Sequence, residues 1–237
     1  MRGCRYTQLY IFHAVIANNV SVPTLFCLVN GKNKETYLRL LGLVEGIAES
    51  YGTTFFNRPV TMMSDFEDGF IKAVHELYPL VQQKGCFFHF AQNIRKNGSS
   101  AITDVKGAVG ESPHVFQLAL TTKTRLRMLP LIPENLITTE VVDLIIAEWK
   151  EEAPQQLRDV FDQLAKTVRK TYIGTVSRKG RQIGPRFPPS FWSVSGRSVR
   201  TNNSAETLHS TLNPMTKGRL ALPRFLGIIE RQMDDAR

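Results

Sequence analysis

The amino-acid sequence predicts a mixed α/β fold that carries an α-helical insertion. Two apolar segments flank Asn18-Asn19, which predicts a β-hairpin because asparagine tolerates the positive φ of tight turns. Strand and helix patterns then alternate up to about residue 100, which is typical of α/β architecture. Between residues 101 and 172 helical patterns replace convincing strands, and this change predicts the insertion.

Each element of the first half rests on its own pattern. The hairpin strands, Gln8–Ala17 and Val22–Val29, are rich in β-branched and aromatic residues. A helix is predicted over Lys34–Tyr51 because its apolar residues recur on one helix face, and Gly52 is a typical helix stop. The following elements are a strand at Pro59–Met63, a helix at Gly69–Leu77, a strand at Val81–Phe88 and a basic helix at His89–Lys96.

The second half is predicted to be mostly helical. Thr138–Trp149 and Pro154–Tyr172 have helical patterns, with Thr139 as an N-cap and Pro154 in a first turn. The remaining segments are a basic loop over residues 174–190, a strand at Phe191–Val199, a helix from Ser204 to Pro214 and a closing helix at Pro223–Met233.

Composition and charge limit the class of protein. No apolar run of about 18 residues exists, so no transmembrane helix is predicted. Three cysteines are an odd count and too few for a secreted disulfide framework, which favours a reducing compartment. The net charge is +9, and twelve Lys or Arg residues but one acid, Glu206, lie between Lys166 and Arg224. Segregated positive charge favours a nucleic-acid partner, with a solvated basic surface as the alternative.

Two acids are candidate metal ligands. Asp65 directly follows a predicted strand, and ligands of open α/β sheets bind beyond the carboxyl ends of strands. Alternatively, Ser64 and Glu67 form a capping box, and Asp65 is a favourable charge in a first helical turn. Glu206 is either a metal ligand near a phosphate site, a salt-bridge partner, or part of a cap that begins at Asn203.

Cys86 and His89 form a Cys-x-x-His spacing. Thiolate and imidazole can share zinc at this spacing, but a closed site needs four ligands and no second pair is evident. The structural alternative makes Cys86 a core residue and His89 a residue of the helix start. A third interpretation is a Cys–His nucleophile pair in an unrelated α/β enzyme, although no oxyanion-hole pattern accompanies it.

Six ordered segments together resemble the core of Mutator-like element (MULE) transposases. They are Gln8–Ala14, Val22-Pro23, Lys32–Tyr37, Met63–Glu67, Gly85–Asn93 and Asn202–Glu206. The resemblance implies an RNase H-like fold, in which an antiparallel hairpin precedes parallel strands with flanking helices and an insertion precedes the last acid. The implied organisation is a first part of the core over residues 1–100, the insertion and basic loop over 101–190, and a return to the core over 191–237.

The resemblance also implies a metal-dependent nuclease and strand transferase that acts on transposon-end DNA. Asp65 matches the second of the family's three metal-binding acids and Glu206 the third, while Cys86 and His89 match its Cys-x-x-His element. The implied cofactor is Mg²⁺ or Mn²⁺, which carboxylate oxygens suit, with no organic cofactor.

The implied partner is DNA, either transposon ends or genomic sites, with self-association as an option and no membrane partner. A nuclear location follows from that substrate. Basic residues of the segment that begins at Lys166 would bind the DNA backbone, with an affinity that falls steeply with salt. The predicted contacts are Lys170, Arg178, Lys179, Arg181, Arg186, Arg197 and Arg200.

The sequence departs from the family at its first acid. That acid belongs to an Asp-Gly-Thr-like stretch shortly before the segment that begins at Gln8, whereas here no acid precedes Glu35. Because two carboxylates rarely hold two metal ions, we expect the polypeptide as written to be inactive or impaired, as a fragment, a decayed copy or a domesticated descendant. The alternative is a non-catalytic DNA-binding or regulatory protein derived from such a transposase.

Overall fold

The computed structural model describes residues 8–16, 20–55, 60–109, 112–197, 199–200 and 222–234. These residues form a mixed α/β protein. In chain order the elements are β1 (Gln8–Val15), β2 (Ser21–Val29), α1 (Lys34–Ser50), β3 (Thr61–Ser64), α2 (Asp68–Leu77), β4 (Gln82–Gly85), α3 (Phe87–Asn97), α4 (Ser99–Val109), α5 (Pro113–Met128), α6 (Thr139–Glu152), α7 (Asp162–Val168), β5 (Thr175–Val176), β6 (Gln182–Ile183), α8 (Pro189–Trp192) and α9 (Leu222–Asp234). Every helix within the described residues falls short of the length or the apolar character that a membrane span requires.

The chain divides into two compact units, one of residues 1–30 with 202–237 and one of residues 31–201. This division leaves the domain boundaries predicted at residues 100 and 190 as a prediction. The strands pair within three two-stranded sheets in the described ranges, β1 with β2, β3 with β4, and β5 with β6.

In the first unit, β1 and β2 form the predicted antiparallel hairpin, with a register shift between Phe12 and His13. The predicted turn at Asn18-Asn19 and the predicted helix from Ser204 to Pro214 lie outside the described residues. The closing helix is confirmed as α9. Its buried Ile228 and Ile229 pack against alternate apolar residues of the hairpin, Leu9 and Ile11 on β1 and Phe26 and Leu28 on β2.

In the second unit, α1 and α2 are confirmed close to their predicted bounds. Asn33 caps α1 by accepting a hydrogen bond from the Thr36 N–H at 2.8 Å. The predicted apolar face of α1 is buried from Tyr37 to Val44, but Ile47 is exposed. Tyr37 packs edge-on against Phe70 of α2, with ring centroids 5.3 Å apart. β3 and β4 are parallel, as predicted, and Ser64 lies opposite Gly85.

The core of the second unit includes an aromatic cluster, which is formed by Phe66, Phe90, Tyr172, Phe187, Phe191 and Trp192. Phe90 of α3 stacks on Trp192, with ring centroids 4.7 Å apart. The Trp192 indole N–H donates to the carbonyl oxygens of Tyr172, at 3.1 Å, and Phe187, at 2.9 Å. The buried indole N–H is therefore hydrogen-bonded, and the stacking on Phe90 joins the segment after β6 to α3.

Three predictions for the second half are wrong in detail. The strand predicted at Phe191–Val199 begins instead with the last two residues of the helical turn α8. Phe191 and Trp192 are both buried in the aromatic cluster, which a strand would not allow for neighbouring residues. The basic loop over residues 174–190 contains the short hairpin β5–β6. The helix at Pro154–Tyr172 is interrupted and reduces to a 3₁₀ turn, α7 and the π-helical segment Arg169–Ile173.

Two helix starts also differ. The N-cap of α6 is Thr138 rather than Thr139. The basic helix α3 begins at Phe87, two residues before the predicted start at His89.

Candidate active site beside Asp65

A cleft of about 730 Å³, here called the Asp65 cleft, opens in the second unit where β3 ends. Its walls come from the loop before α1, the β3–α2 connection, α3, and one residue after β6. The lining residues are Lys32, Asn33, Lys34, Asp65, Phe66, Glu67, Asp68, Gly69, Lys72, His89, Gln92, Asn93, Lys96 and Arg186. The cleft therefore combines several carboxylates with a larger number of cations.

Asp65 lies between β3 and α2, directly after the strand. Its Oδ1 accepts a hydrogen bond from the Glu67 N–H at 3.2 Å, which tightens the turn into the helix. The neighbouring Phe66 packs edge-on against Phe187 and Phe191, with ring centroids 5.0 and 5.5 Å away. The aromatic core thus fixes the backbone that carries the Asp65 carboxylate.

The capping-box interpretation of this segment is wrong. Ser64 is the last residue of β3, and its hydroxyl donates to the Asp65 carbonyl oxygen at 3.0 Å. The N-cap of α2 is Glu67, without a side-chain capping bond, and the helix begins at Asp68. Asp65 therefore precedes the helix and lines the cleft instead of serving as a first-turn charge.

The two acids that follow Asp65 are occupied by structural interactions. Glu67 accepts a hydrogen bond from the Tyr37 hydroxyl at 2.7 Å and lies 3.8 Å from the Lys32 ammonium. Asp68 forms ion pairs with Lys72 at 2.7 Å and with Arg186 at 3.4 Å. The hydrogen bond from Lys72, together with the charge of Arg186, holds the pKa of Asp68 below its ordinary value.

Asp65 differs from both neighbours in its charge environment. In the residues that the structure describes, no cation forms an ion pair with its carboxylate, and the Glu67 N–H is its one hydrogen-bond donor. Asp65 therefore keeps acceptor capacity for a cation, which Glu67 and Asp68 have largely used. Glu206 lies outside the described residues, and no group of three His, Cys, Asp or Glu within them could hold a metal ion.

Cys86 and His89 occupy different surroundings. Cys86 is fully buried at the N-cap of α3, and its N–H donates to the Ser64 carbonyl oxygen at 2.9 Å. His89 lies one turn further along and lines the Asp65 cleft. The burial of Cys86 agrees with a core residue and argues against a nucleophile that meets substrate in the cleft.

The predicted DNA-contacting residues fall into separate groups. Arg178, Lys179 and Arg181 are exposed in the turn between β5 and β6, where Gly180 adopts a φ of +74°. Arg186 lines the cleft, and its guanidinium lies 5.2 Å from the centroid of the Phe187 ring. The other three are Lys170 and Arg200, which are exposed, and Arg197, which is half-buried.

Burial lowers the pKa of Arg197. Its guanidinium donates to the Ser190 carbonyl oxygen at 3.4 Å, and its own carbonyl oxygen accepts from Arg200 at 3.1 Å. These contacts give Arg197 a structural role in holding the chain after α8.

Sequence comparison identifies the segment that builds most of this cleft. The family model of the MULE transposase domain matches residues 5–93. Residues 5–93 are therefore similar to a MULE transposase domain. The match includes Asp65, Cys86 and His89, whereas Glu206 lies beyond it. No curated protein and no solved structure matches the chain.

The matched segment does not supply the whole wall of the cleft. Lys96 follows the matched segment on α3, and Arg186 reaches the cleft from the connection between β6 and α8. Sequence reasoning proposed Arg186 for DNA but missed Asp68 and Lys96. The i, i+4 spacing of Asp68 and Lys72 could have indicated their ion pair in advance.

Proposed function

We propose that this chain acts on DNA as a transposase core of RNase H-like type, and that Asp65 is a metal ligand for strand cleavage and transfer. The observation that carries the proposal is the Asp65 carboxylate itself. It follows β3 in a cleft of the matched segment and is left without a cationic partner in the described part of the chain. A carboxylate placed in this way is suited to bind an added cation.

The donor chemistry fits a hard divalent ion. Asp65, joined by Glu206 under the family resemblance, would hold Mg²⁺ or Mn²⁺ through carboxylate oxygens. A divalent ion bound there would stabilise charge on the oxygens of an in-line phosphoryl transfer. The cations of the cleft, such as Arg186 and Lys72, would balance the charge of an entering phosphate.

We propose that the basic hairpin β5–β6 binds phosphates of the DNA backbone other than the reacting phosphate. Arg178, Lys179 and Arg181 are exposed and form no ion pair with any described residue, and no Asp or Glu occurs between Gln163 and Ala205. Cations without nearby acids retain their full attraction for phosphates. Transposon ends or genomic sites are the proposed DNA partners, with a nuclear location and optional self-association.

A non-catalytic DNA-binding protein is the second candidate. The observation that favours it is the basic hairpin β5–β6, whose exposed Arg178, Lys179 and Arg181 lie outside the matched segment and can bind phosphates without a metal ion. Both candidates predict DNA binding that weakens with salt. Catalysis alone predicts metal-dependent strand breaks that require Asp65.

The decisive experiment measures nicking of supercoiled plasmid by the full chain in Mg²⁺ or Mn²⁺. We expect Asp65→Asn and Glu206→Gln to abolish whatever nicking the unmodified chain shows, because each removes a ligand charge. Asp104→Asn, which neutralises an exposed acid of α4, is the matched control and should leave nicking unchanged. Nicking that survives Asp65→Asn would refute the role of Asp65. Salt-sensitive DNA binding without nicking would select the non-catalytic candidate.

Metal binding gives a readout that does not depend on activity. Titration of the full chain with Mn²⁺ in a calorimeter should show binding that Asp65→Asn weakens and Asp104→Asn does not. Equal binding by both variants would place the metal elsewhere.

A further inference from the structure

One face of α3 lies along the Asp65 cleft and is entirely polar. His89, Gln92, Asn93 and Lys96 recur at the i, i+3, i+4 and i+7 spacing of a single helix face, and all four line the cleft. The opposite face carries the buried residues Phe90, Ala91 and Ile94. This polar face, here called the α3 stripe, extends from the neighbourhood of Asp65 to the end of the helix.

Lys96 differs from the other Lys and Arg residues that line the cleft, because no acid among the described residues forms an ion pair with it. The other lining cations have acidic partners: Lys32 with Glu67, Lys34 with Glu76, and Lys72 and Arg186 with Asp68. Lys96 is exposed and forms no ion pair with any residue that the structure describes. An anion that enters the cleft therefore meets one cation that it need not take from an existing pair.

In the middle of the stripe, one side-chain amide has a hydrogen-bond partner within the protein and the other does not. The Asn93 side-chain amide donates to the Tyr172 hydroxyl at 3.2 Å, which fixes α3 to the aromatic cluster. Gln92, half-buried beside it, makes no side-chain hydrogen bond within the described ranges. Its amide can donate to an oxygen of a ligand without breaking an internal bond.

We propose that Lys96 and Gln92 hold the sugar–phosphate backbone of the DNA strand whose reacting phosphate lies at Asp65. Lys96 binds a neighbouring phosphate by charge. Gln92 donates a hydrogen bond to a phosphate or sugar oxygen that lies between this phosphate and the reacting one. This inference rests on the proposed function of the cleft. It adds two positioning residues, one of which lies beyond the matched segment.

The alternative explanation for Lys96 is helix stabilisation, because cations in the last turn favour the negative end of the helix dipole. Arg95 provides the matched control for this explanation. It is exposed in the same last turn and carries the same charge, but it does not line the cleft. Arg95→Gln and Lys96→Gln therefore change net charge and helix dipole equally, and they differ in access to the cleft.

The test is fluorescence anisotropy of a labelled DNA duplex, titrated with the full chain in EDTA at several salt concentrations. Lys96→Gln should weaken binding by roughly five- to tenfold at moderate salt. It should also reduce the salt slope, which is the slope of log affinity against log salt concentration, by about 0.9, as loss of one phosphate contact predicts. Arg95→Gln should change both by much less. Gln92→Ala should weaken binding with little change in slope, and Gln163→Ala on α7 is its control.

The outcomes separate the inference from the proposed function. If Lys96→Gln and Arg95→Gln have equal effects while the unmodified chain binds DNA, the α3 stripe is not a DNA contact and the proposed function still stands. If the unmodified chain does not bind DNA, both proposals fail. Equal melting temperatures of the variants and the unmodified chain show that binding changes do not arise from unfolding.

Discussion

Gly69, in the first turn of α2, lies against the backbone of the loop before α1. A Cβ at this position would lie 2.3 Å from the Lys32 carbonyl oxygen and 2.9 Å from the Asn33 carbonyl carbon. These are backbone atoms and cannot move aside by a change of rotamer. Glycine is therefore required for this wall of the Asp65 cleft to form.

Gly69→Ala should lower the free energy of unfolding by about 1–3 kcal/mol, because overpacking forces the backbone apart. Gly46→Ala is the control, since a Cβ there meets nothing within 4 Å in the middle of α1. We expect this control to stabilise the protein by about 0.5–1 kcal/mol. Denaturant unfolding measures both changes. A Gly69→Ala variant that is as stable as the Gly46→Ala variant would contradict the close approach.

Asp68 gives the cleft a pH-dependent contribution to stability. Because Lys72 and Arg186 hold its folded-state pKa below the ordinary 3.8, its ion pairs stabilise the fold above that value and are lost as pH falls through the lowered pKa. Asp68→Asn should therefore reduce the melting temperature at neutral pH, and the difference should shrink below pH 3.8. A difference that persists in acid would contradict this assignment. Asp104→Asn shows the effect of net charge alone.

At the scale of single residues, the sequence predicted where Asp65 lies but not which ion pairs its acidic neighbours form. Asp65 could be proposed because it follows a strand, and the structure places it in a cleft. The ion pairs of Glu67 with Lys32 and of Asp68 with Arg186 could not be foreseen, because Lys32 and Arg186 come from distant segments of the chain. These partners are what distinguish Asp65 from its two acidic neighbours.

Among the elements, the hairpin β5–β6 makes the clearest prediction about DNA. The triple variant Arg178→Gln, Lys179→Gln and Arg181→Gln should reduce the salt slope of DNA binding by about two to three, since these exposed cations are free to contact phosphates. Anisotropy titrations over a range of salt measure the slope. The matched control neutralises three other exposed cations, Arg39, Lys106 and Arg231.

A hairpin that binds DNA directly should show a larger loss than that control. Equal losses would indicate that net charge, rather than the hairpin, determines affinity. Neither triple variant should change the melting temperature greatly, because all six side chains are exposed.

The elements with strong local patterns were predictable, and those fixed by tertiary contacts were not. α1 and the β1–β2 hairpin follow their periodicities closely. The segment from Phe191 alternates weakly, as a strand does, yet both Phe191 and Trp192 are buried together in a helical turn. A turn after Pro188-Pro189 can bury neighbouring aromatic residues in this way, and single-sequence periodicity does not detect it.

For the whole molecule, the division into two units predicts that residues 31–201 fold without the rest. The aromatic cluster and both tryptophans, Trp149 and Trp192, belong to this unit. A fragment of residues 31–201 should unfold in a single cooperative transition and keep the near-ultraviolet circular dichroism of the full chain. Loss of that spectrum with retained helix content would indicate a molten globule and contradict the division.

The other unit is discontinuous in sequence, and this has a consequence for the order of events on the ribosome. The β1–β2 hairpin is made before residues 31–201, but α9, whose Ile228 and Ile229 pack on its apolar side chains, is made after them. All of residues 31–201 must be synthesised in between. During translation the nascent hairpin therefore exposes Leu9, Phe26 and their neighbours, a surface that holding chaperones bind. Synthesis of α9, rather than emergence of the strands, is the step that completes this unit.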